Sequence, residues 1–429
     1  MKLNKTISVY EHQRLKLGFY GEGDERFEFK PRHLAALEQH YGNGELNYYK
    51  LINKGVQFNQ YVGVLKVGDL TIEVLPKADK CTVKDTNVNH WRSLLIGMLK
   101  AVGVFNVQAP SSASLNTKTN FVLDLYFELF IKEAEYLVNL GLVKKYSKTE
   151  GQSLALKGAL QFGQHISKNL VHKERFYVRY SEYSFQQPLN QILFKTLKLL
   201  KRINSNSGLN SRIGSLLLHF PELSDIKVTE ASFEKINYNR KTTVYKNAIE
   251  ISRLLLLNYH PDVSAGKNDV LAIMFDMNAL WERFVYVSLR KNRDAYQNIT
   301  AQAHKHFWRP ENGNRSSIRP DIVIENKFNV GSEKPQTIVF DTKWKNIKSA
   351  NPSPDDLRQM YVYHEYFDAD KVALIYPGDK SDAISGSYVD KRSGENSGKI
   401  CSVISIKPSD DITNWQVRIE TQLNNWIKS

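Results

Sequence analysis

The stretch TIVFDTKWK has the apolar character of a buried strand, yet it carries Asp341 and Lys343 two residues apart. Strand side chains alternate between faces, so these two share a face with Val339, while Ile338, Phe340 and Trp344 point the other way. Upstream, RPDIVIE reads as a second strand, joined to the first by the ten-residue loop NKFNVGSEKP. Strands joined in this way pair as antiparallel neighbours, which brings Asp321 toward Asp341 and Lys343. Two carboxylates on a buried sheet are costly unless their charge is neutralised, and a divalent cation neutralises it directly. Hard oxygen ligands suit Mg2+, with Mn2+ as a substitute, and such an ion keeps waters and accepts phosphate oxygens. A lysine beside it can orient or deprotonate a water and help to stabilise an anionic transition state. Phosphodiester hydrolysis is the natural reaction for this set. The plainer alternative is a same-face ion pair between Asp341 and Lys343 at a sheet end.

The elements around these residues are well marked. SPDDLRQMYVYHEYF offers Ser353 as helix N-cap, Pro354 at the first helical position, and Asp355 and Asp356 in the first turn facing the helix dipole. Gln359 and Tyr363 fall four apart on one face of that helix. Ahead of the strands, LAIMFDMNALWERFVYVSLRKN sets Ile273, Met277, Leu280, Phe284 and Val287 on one stripe and predicts a helix, with Glu282 well off the stripe. A strand KVALIYP, a polar hairpin region and a C-terminal helix follow. The resulting order α, β, β, α, β predicts a small mixed sheet flanked by helices.

The remainder of the chain supports more than one domain. At 429 residues it exceeds the size at which a single core keeps growing. Residues 1–95 read as a β-rich N-terminal domain, in which YVGVLKVGDLTIEVLPK forms two strands around a Gly68-Asp69 turn and stops at Pro76. Residues 96–268 read as a helical, basic middle region, from WRSLLIGMLKAVGVF and NFVLDLYFELFIKEAEYLVNLGL to LNQILFKTLKLLKRI. Between 141 and 205 there are twelve Lys or Arg against three Asp or Glu, interleaved with Tyr146, Phe176, Tyr177 and Tyr180. Such a surface fits a nucleic-acid backbone with stacking aromatics, or equally a solvated basic face over a tyrosine-rich core.

The net charge of +14 favours a polyanionic partner. Cys81 and Cys401 form no CxxC and read as ordinary thiols of a reducing cytosol, so neither a disulfide framework nor a cysteine-ligated zinc is expected. The N-terminus lacks the apolar core of a signal peptide, and no stretch is long and apolar enough to span a membrane, so a cytoplasmic protein is expected. His304 and His306, in HKHFW, read as a surface pair in the absence of further ligands.

These motifs resemble the PD-(D/E)XK nuclease superfamily. Pro320-Asp321 matches the PD, and Asp341-Thr342-Lys343 matches the D/E-X-K half. The resemblance implies that Asp321 and Asp341 bind metal, that Glu282 is the additional acidic ligand on the preceding helix, and that Gln359 with Tyr363 forms a QxxxY element. For Glu282 a solvated ion pair, and for Gln359 a polar network behind the site, stand as alternatives. IMFDMNALWERFV, the two strands, DLRQMYVYHEYF and ALIYP further resemble the nuclease half of the McrC family, the cleavage subunits of McrBC modification-dependent restriction systems. GVLKVGDLTIEVLPK, WRSLLIGML and the stretch from LKGALQFGQHISKN to QQPLNQILFKTL resemble the rest of that family. Trp281 stands where the family usually has Phe.

The resemblance implies an α+β multidomain chain whose residues 269–429 form a restriction-endonuclease-like α/β domain. It implies an Mg2+-dependent endonuclease of double-stranded, methylated DNA that docks on an McrB-like AAA+ GTPase ring and stimulates its GTP hydrolysis. Consistent with a separate motor, no GxxxxGK[ST] occurs, and the nearest fragment is SAGKND. Two other readings remain: a non-catalytic adaptor that activates such a ring, and a free-standing repair nuclease.

Overall fold

Runs of β-branched and apolar residues punctuated by turns build a six-stranded mixed sheet from the C-terminal part of the chain. Its strands lie in the order Gln297–Ala301, Ile322–Asn326, Gln336–Thr342, Lys371–Pro377, Asn396–Ile406, Asp382–Val389. The first three pair antiparallel with one another, Lys371–Pro377 is parallel to both strands beside it, and the last pair is antiparallel. The computed structural model describes residues 5–20, 27–43, 48–77, 88–103, 122–260, 269–291, 297–326, 335–345, 351–378, 380–409 and 411–429. Most of the loop NKFNVGSEKP, together with Cys81 and SAGKND up to residue 268, lies outside the described residues.

Both faces of the sheet are covered. Val323, Val339, Leu374 and Val403 pack with Met360, Tyr363 and Phe367 of the helix Pro354–Phe367. On the opposite face Phe340 meets Trp426 of the helix Ile412–Lys428, at 5.5 Å between ring centroids. Trp281 of the helix Met277–Lys291 lies 5.3 Å from Trp415 and donates its indole N–H to Ile375 O at 3.3 Å. The alternation read from TIVFDTKWK therefore holds, with Val339 and Phe340 entering separate layers.

The helix signals before Pro354 behave as expected: Ser353 Oγ accepts from Asp356 N at 3.2 Å. The stripe beginning at Ile273 does not. Val270–Asp276 is a strand, and the helix starts at Met277, where Asp276 Oδ1 accepts from Asn278 N and Ala279 N. The contiguous apolar run VLAIMF satisfies a fully buried strand as well as a helix, and the capping aspartate decides where the helix begins. Val287 is only half-buried. The strand Gln297–Ala301 and the helix Pro31–Asn43 were not expected.

Two compact units emerge, and the chain enters each more than once: Met1–Lys5, Lys66–Thr71 and Val107–Ile273 form one, and Thr6–Leu65, Ile72–Asn106 and Met274–Ser429 the other. The first unit contains the helices Val122–Leu140, Pro188–Ile203, Ser207–His219 and Lys246–Leu257, built around Phe130, Leu193, Leu197, Ile213 and Leu255. It is not all helical. Lys145–Ser153 and Phe176–Ser184 pair as long antiparallel strands, a charged and tyrosine-rich pattern that helical periodicity does not reveal. Lysines already lie over its aromatic rings, with Lys157 Nζ 3.7 Å from the centre of Tyr180 and Lys168 Nζ 4.6 Å from that of Tyr177. Strands Tyr61–Val67 and Leu70–Leu75 meet at Gly68, whose φ of 58° suits the two-residue turn read from Gly68-Asp69. Among the described residues no helix is long and apolar enough to cross a membrane.

Candidate active site

The register of the two central strands decides which side chains meet. Ile322 lies opposite Phe340, so one further step sets Asp321 opposite Asp341, on the same face. Asp321 stands just ahead of its strand and is held by Thr342, whose backbone N–H (2.7 Å) and hydroxyl (2.8 Å) both donate to Asp321 Oδ2. Lys343 continues the parallel ladder through its N–H to Ile375 O at 2.9 Å, and its ammonium lies 2.7 Å from Asp341 Oδ2.

Asp341 is 1% exposed. Its Oδ1 receives the Gln359 amide at 3.2 Å and the Tyr363 hydroxyl at 3.5 Å. Its buried Oδ2 is met by the Lys343 ammonium as a close ion pair. Gln359 also contacts Tyr363 OH (2.6 Å) and Lys343 Nζ (3.4 Å), and Tyr363 OH reaches Arg319 O at 3.2 Å. The helix face shared by Gln359 and Tyr363 is thus turned onto the carboxylates. Glu282 is brought to the same region: its charge acts on Asp321, and its carboxylate accepts from the Gln302 side chain.

Burial and mutual repulsion dominate the electrostatics. Burial first, then the Asp321 charge, push the Asp341 carboxyl up to about 6, against the pull of Lys343. Burial and then Glu282 raise Asp321. Burial also raises Glu282. Burial alone would lower Lys343, but the charges of Asp341, Asp321 and Asp356 outweigh it and hold the ammonium above its usual range. Acids destabilised in their charged form by burial and by neighbouring acids are short of positive charge.

The fit of a divalent cation follows from that shortage. Asp321 and Asp341 together supply the hard oxygens a hydrated Mg2+ or Mn2+ takes. Among the described residues no group of three or more His, Cys, Asp or Glu is arranged to hold a metal ion, and the Glu282 carboxylate is engaged by Gln302. His306 bonds Ser317 Oγ at 3.1 Å and is exposed, as a surface histidine would be.

Sequence reasoning missed three supports. Thr342 is the unspecified middle residue of its motif and carries no signal of its own. Gln302, with φ 56°, is marked by nothing local. Glu11 accepts the Trp344 indole N–H at 2.7 Å and Lys77 N at 2.9 Å, anchoring the residue next to Lys343.

With this geometry in view, the sequence matches the family model described as McrBC 5-methylcytosine restriction system component over residues 56–377. The chain belongs to that McrBC family. Comparison with curated proteins gives no match. Among solved structures, it is similar to a chain of the refined half-complex from the tetradecameric assembly of Thermococcus gammatolerans McrB AAA+ hexamers with bound McrC. The TM-score is 0.69 and the identity 20%, with 98% of this chain and 100% of that chain covered. A chain of the Thermococcus gammatolerans McrBC complex aligns at 20% identity and TM-score 0.49, covering 67% of this chain and 87% of that one. The first of these likenesses shows that the mixed α/β fold is one found within an McrBC assembly. In this McrBC family member, the matched segment includes Glu282, Asp321, Asp341, Lys343 and Gln359.

Proposed function

We propose that the chain is the DNA-cleaving subunit of an McrBC-type restriction system, with a PD-(D/E)XK site that hydrolyses phosphodiesters with Mg2+. The observation that carries this reading is the pairing of Asp321 with Asp341 across antiparallel strands, with Lys343 on the same face. Asp321 and Asp341 would hold the ion, Glu282 would assist, and Gln359 would keep Asp341 oriented. Bound there, Mg2+ supplies charge neutralisation of the phosphate and an acidified water.

Lys343 is protonated in this arrangement and serves first as a cation: it orients a water by donating to it and offsets charge developing on the phosphate oxygens. The water oxygen bonds to phosphorus and releases one proton to bulk solvent, the bridging P–O bond breaks, and the departing alkoxide takes one proton back from solvent, so the net change is one water added across the P–O bond. Thr342 and Gln359 keep the carboxylates in register and exclude alternative rotamers. The partner is an McrB-like AAA+ ring, and the substrate is double-stranded, methylated DNA; membership of the family and likeness to a chain from an McrB–McrC assembly support both.

A second reading is an adaptor that activates the ring without cutting. It is favoured by the exposed apolar side chains Leu154, Leu156, Phe162, Ile166, Leu170 and Val171 in the first unit, a surface fitted to a protein partner. Purified complex incubated with Mg2+, GTP and methylated plasmid separates the two. Cleavage that disappears in Asp341→Ala and Lys343→Ala while GTP hydrolysis stays stimulated supports the nuclease; raised hydrolysis without breaks in the native complex supports the adaptor.

A further inference from the structure

Beside the carboxylates lies a cavity of about 860 Å3 whose lining includes Gln302, Phe307, Arg319, Arg358, Gln359 and Tyr363. Gln359 and Tyr363 are the side chains that hold Asp341, so the cavity opens directly onto the proposed site. One wall is the antiparallel pair Lys305–Trp308 and Ser316–Ile318. That wall is fastened to the helix Pro354–Phe367 by Lys305 Nζ donating to Tyr366 O at 2.7 Å and by Phe307 packing edge-on against Tyr366, 5.3 Å between centroids.

The lining is cationic and aromatic. It includes Arg319 and Arg358 and, among the described residues, no carboxylate. Arg319 is exposed, two residues before Asp321. Arg358 is 76% exposed and paired with an equally open Asp355, an ion pair that an incoming phosphate can replace at little cost. Phe307 remains 49% exposed despite its anchor. A strand with one phosphate at Asp321 and Asp341 must lay its neighbouring phosphates on an adjoining surface. Guanidinium groups suit those phosphates, and an aromatic face suits a sugar or an unstacked base.

We infer that this cavity seats the nucleic-acid strand to one side of the scissile phosphate, with Arg319 and Arg358 holding backbone phosphates and Phe307 packing on the nucleotide between them. The inference rests on the phosphodiesterase reading and names the substrate subsite of that same site. Both arginines act as positioning residues.

The test is the affinity of the full chain for a short fluorescent DNA duplex in EDTA, measured across a salt series so that no cutting intervenes. Arg319→Ala/Arg358→Ala is expected to weaken binding at least tenfold. It should also flatten the plot of log affinity against log salt by about 1.8, since each lost phosphate contact removes about 0.9. Arg319→Lys/Arg358→Lys should restore the slope, which a merely structural role would not require. Unchanged affinity and slope in the alanine pair overturn the subsite, even in a chain that cuts. Polyglutamate displacing the labelled duplex as well as unlabelled duplex does also overturns it, in favour of an acidic peptide. A native complex that never cuts with Mg2+ and GTP would sink the phosphodiesterase reading, while the slope difference measured in EDTA would still support the cavity as a nucleic-acid seat.

Discussion

Gln359 donates its side-chain amide to Asp341 Oδ1 at 3.2 Å. This bond ties the capped helix to the central strand, and it falls on the carboxylate whose other oxygen faces the Lys343 ammonium at 2.7 Å.

Replacing Gln359 tests that tie. Gln359→Ala frees Asp341 to rotate and is expected to lower the cleavage rate on the order of 100-fold, in kcat more than in KM. Gln359→Glu sets a like charge beside Asp341 and is expected to be worse still. Steady-state cleavage of methylated plasmid by the assembled complex checks both, and a Gln359→Glu variant that cuts at the native rate would remove Gln359 from the site.

Magnesium should stabilise the folded chain. A ligand that binds only the native state adds about 2.7 kcal/mol at a concentration one hundred times its Kd. Thermal melts with and without Mg2+ are therefore expected to separate for the native chain and to coincide for Asp321→Asn and Asp341→Asn. Equal shifts in native and variant chains would place the metal elsewhere.

Glu11 supplies a pH signature away from the carboxylate pair. Burial raises its carboxyl from 4.5 to about 7, against the hydrogen bonds from Lys77 and Trp344. Between those values the folded chain holds a proton that the unfolded chain has released, so stability falls as pH rises from about 4.5 through about 7. Glu11→Gln removes that slope. It is expected to stabilise the chain by about 1–3 kcal/mol at pH 8 and to change little at pH 4. Denaturant titrations at the two pH values read the difference.

Trp281 tests the layer beneath the sheet. It is fully buried, lies 5.6 Å from Trp344 and 5.3 Å from Trp415, and bonds Ile375 O. Trp281→Ala is expected to cost about 3–5 kcal/mol through the cavity it leaves. Trp281→Phe should cost about 1–2 kcal/mol, keeping the aromatic packing while giving up the indole hydrogen bond to Ile375 O, which retains the Lys343 N–H. Equilibrium unfolding measures both.

The sequence by itself determined those features that depend on neighbours along the chain. Strand alternation put Asp341 and Lys343 on one face, and the antiparallel expectation for two strands joined by a short loop brought Asp321 opposite. Ser353, Pro354 and the acidic first turn marked a helix start because unsatisfied N–H groups need local acceptors. Helical spacing put Gln359 and Tyr363 together, and the sheet then received them both.

Tertiary structure alone decided what depends on residues far apart. Thr342 locking Asp321, Gln302 reaching Glu282, and Glu11 holding Trp344 are hydrogen bonds between side chains that no period relates. The same is true of where VLAIMF stops being strand and becomes helix, since an apolar run satisfies either until its packing partners are chosen. The acidity of Asp341 belongs to this class too: residue type sets an ordinary carboxylate, and burial beside Asp321 moves it.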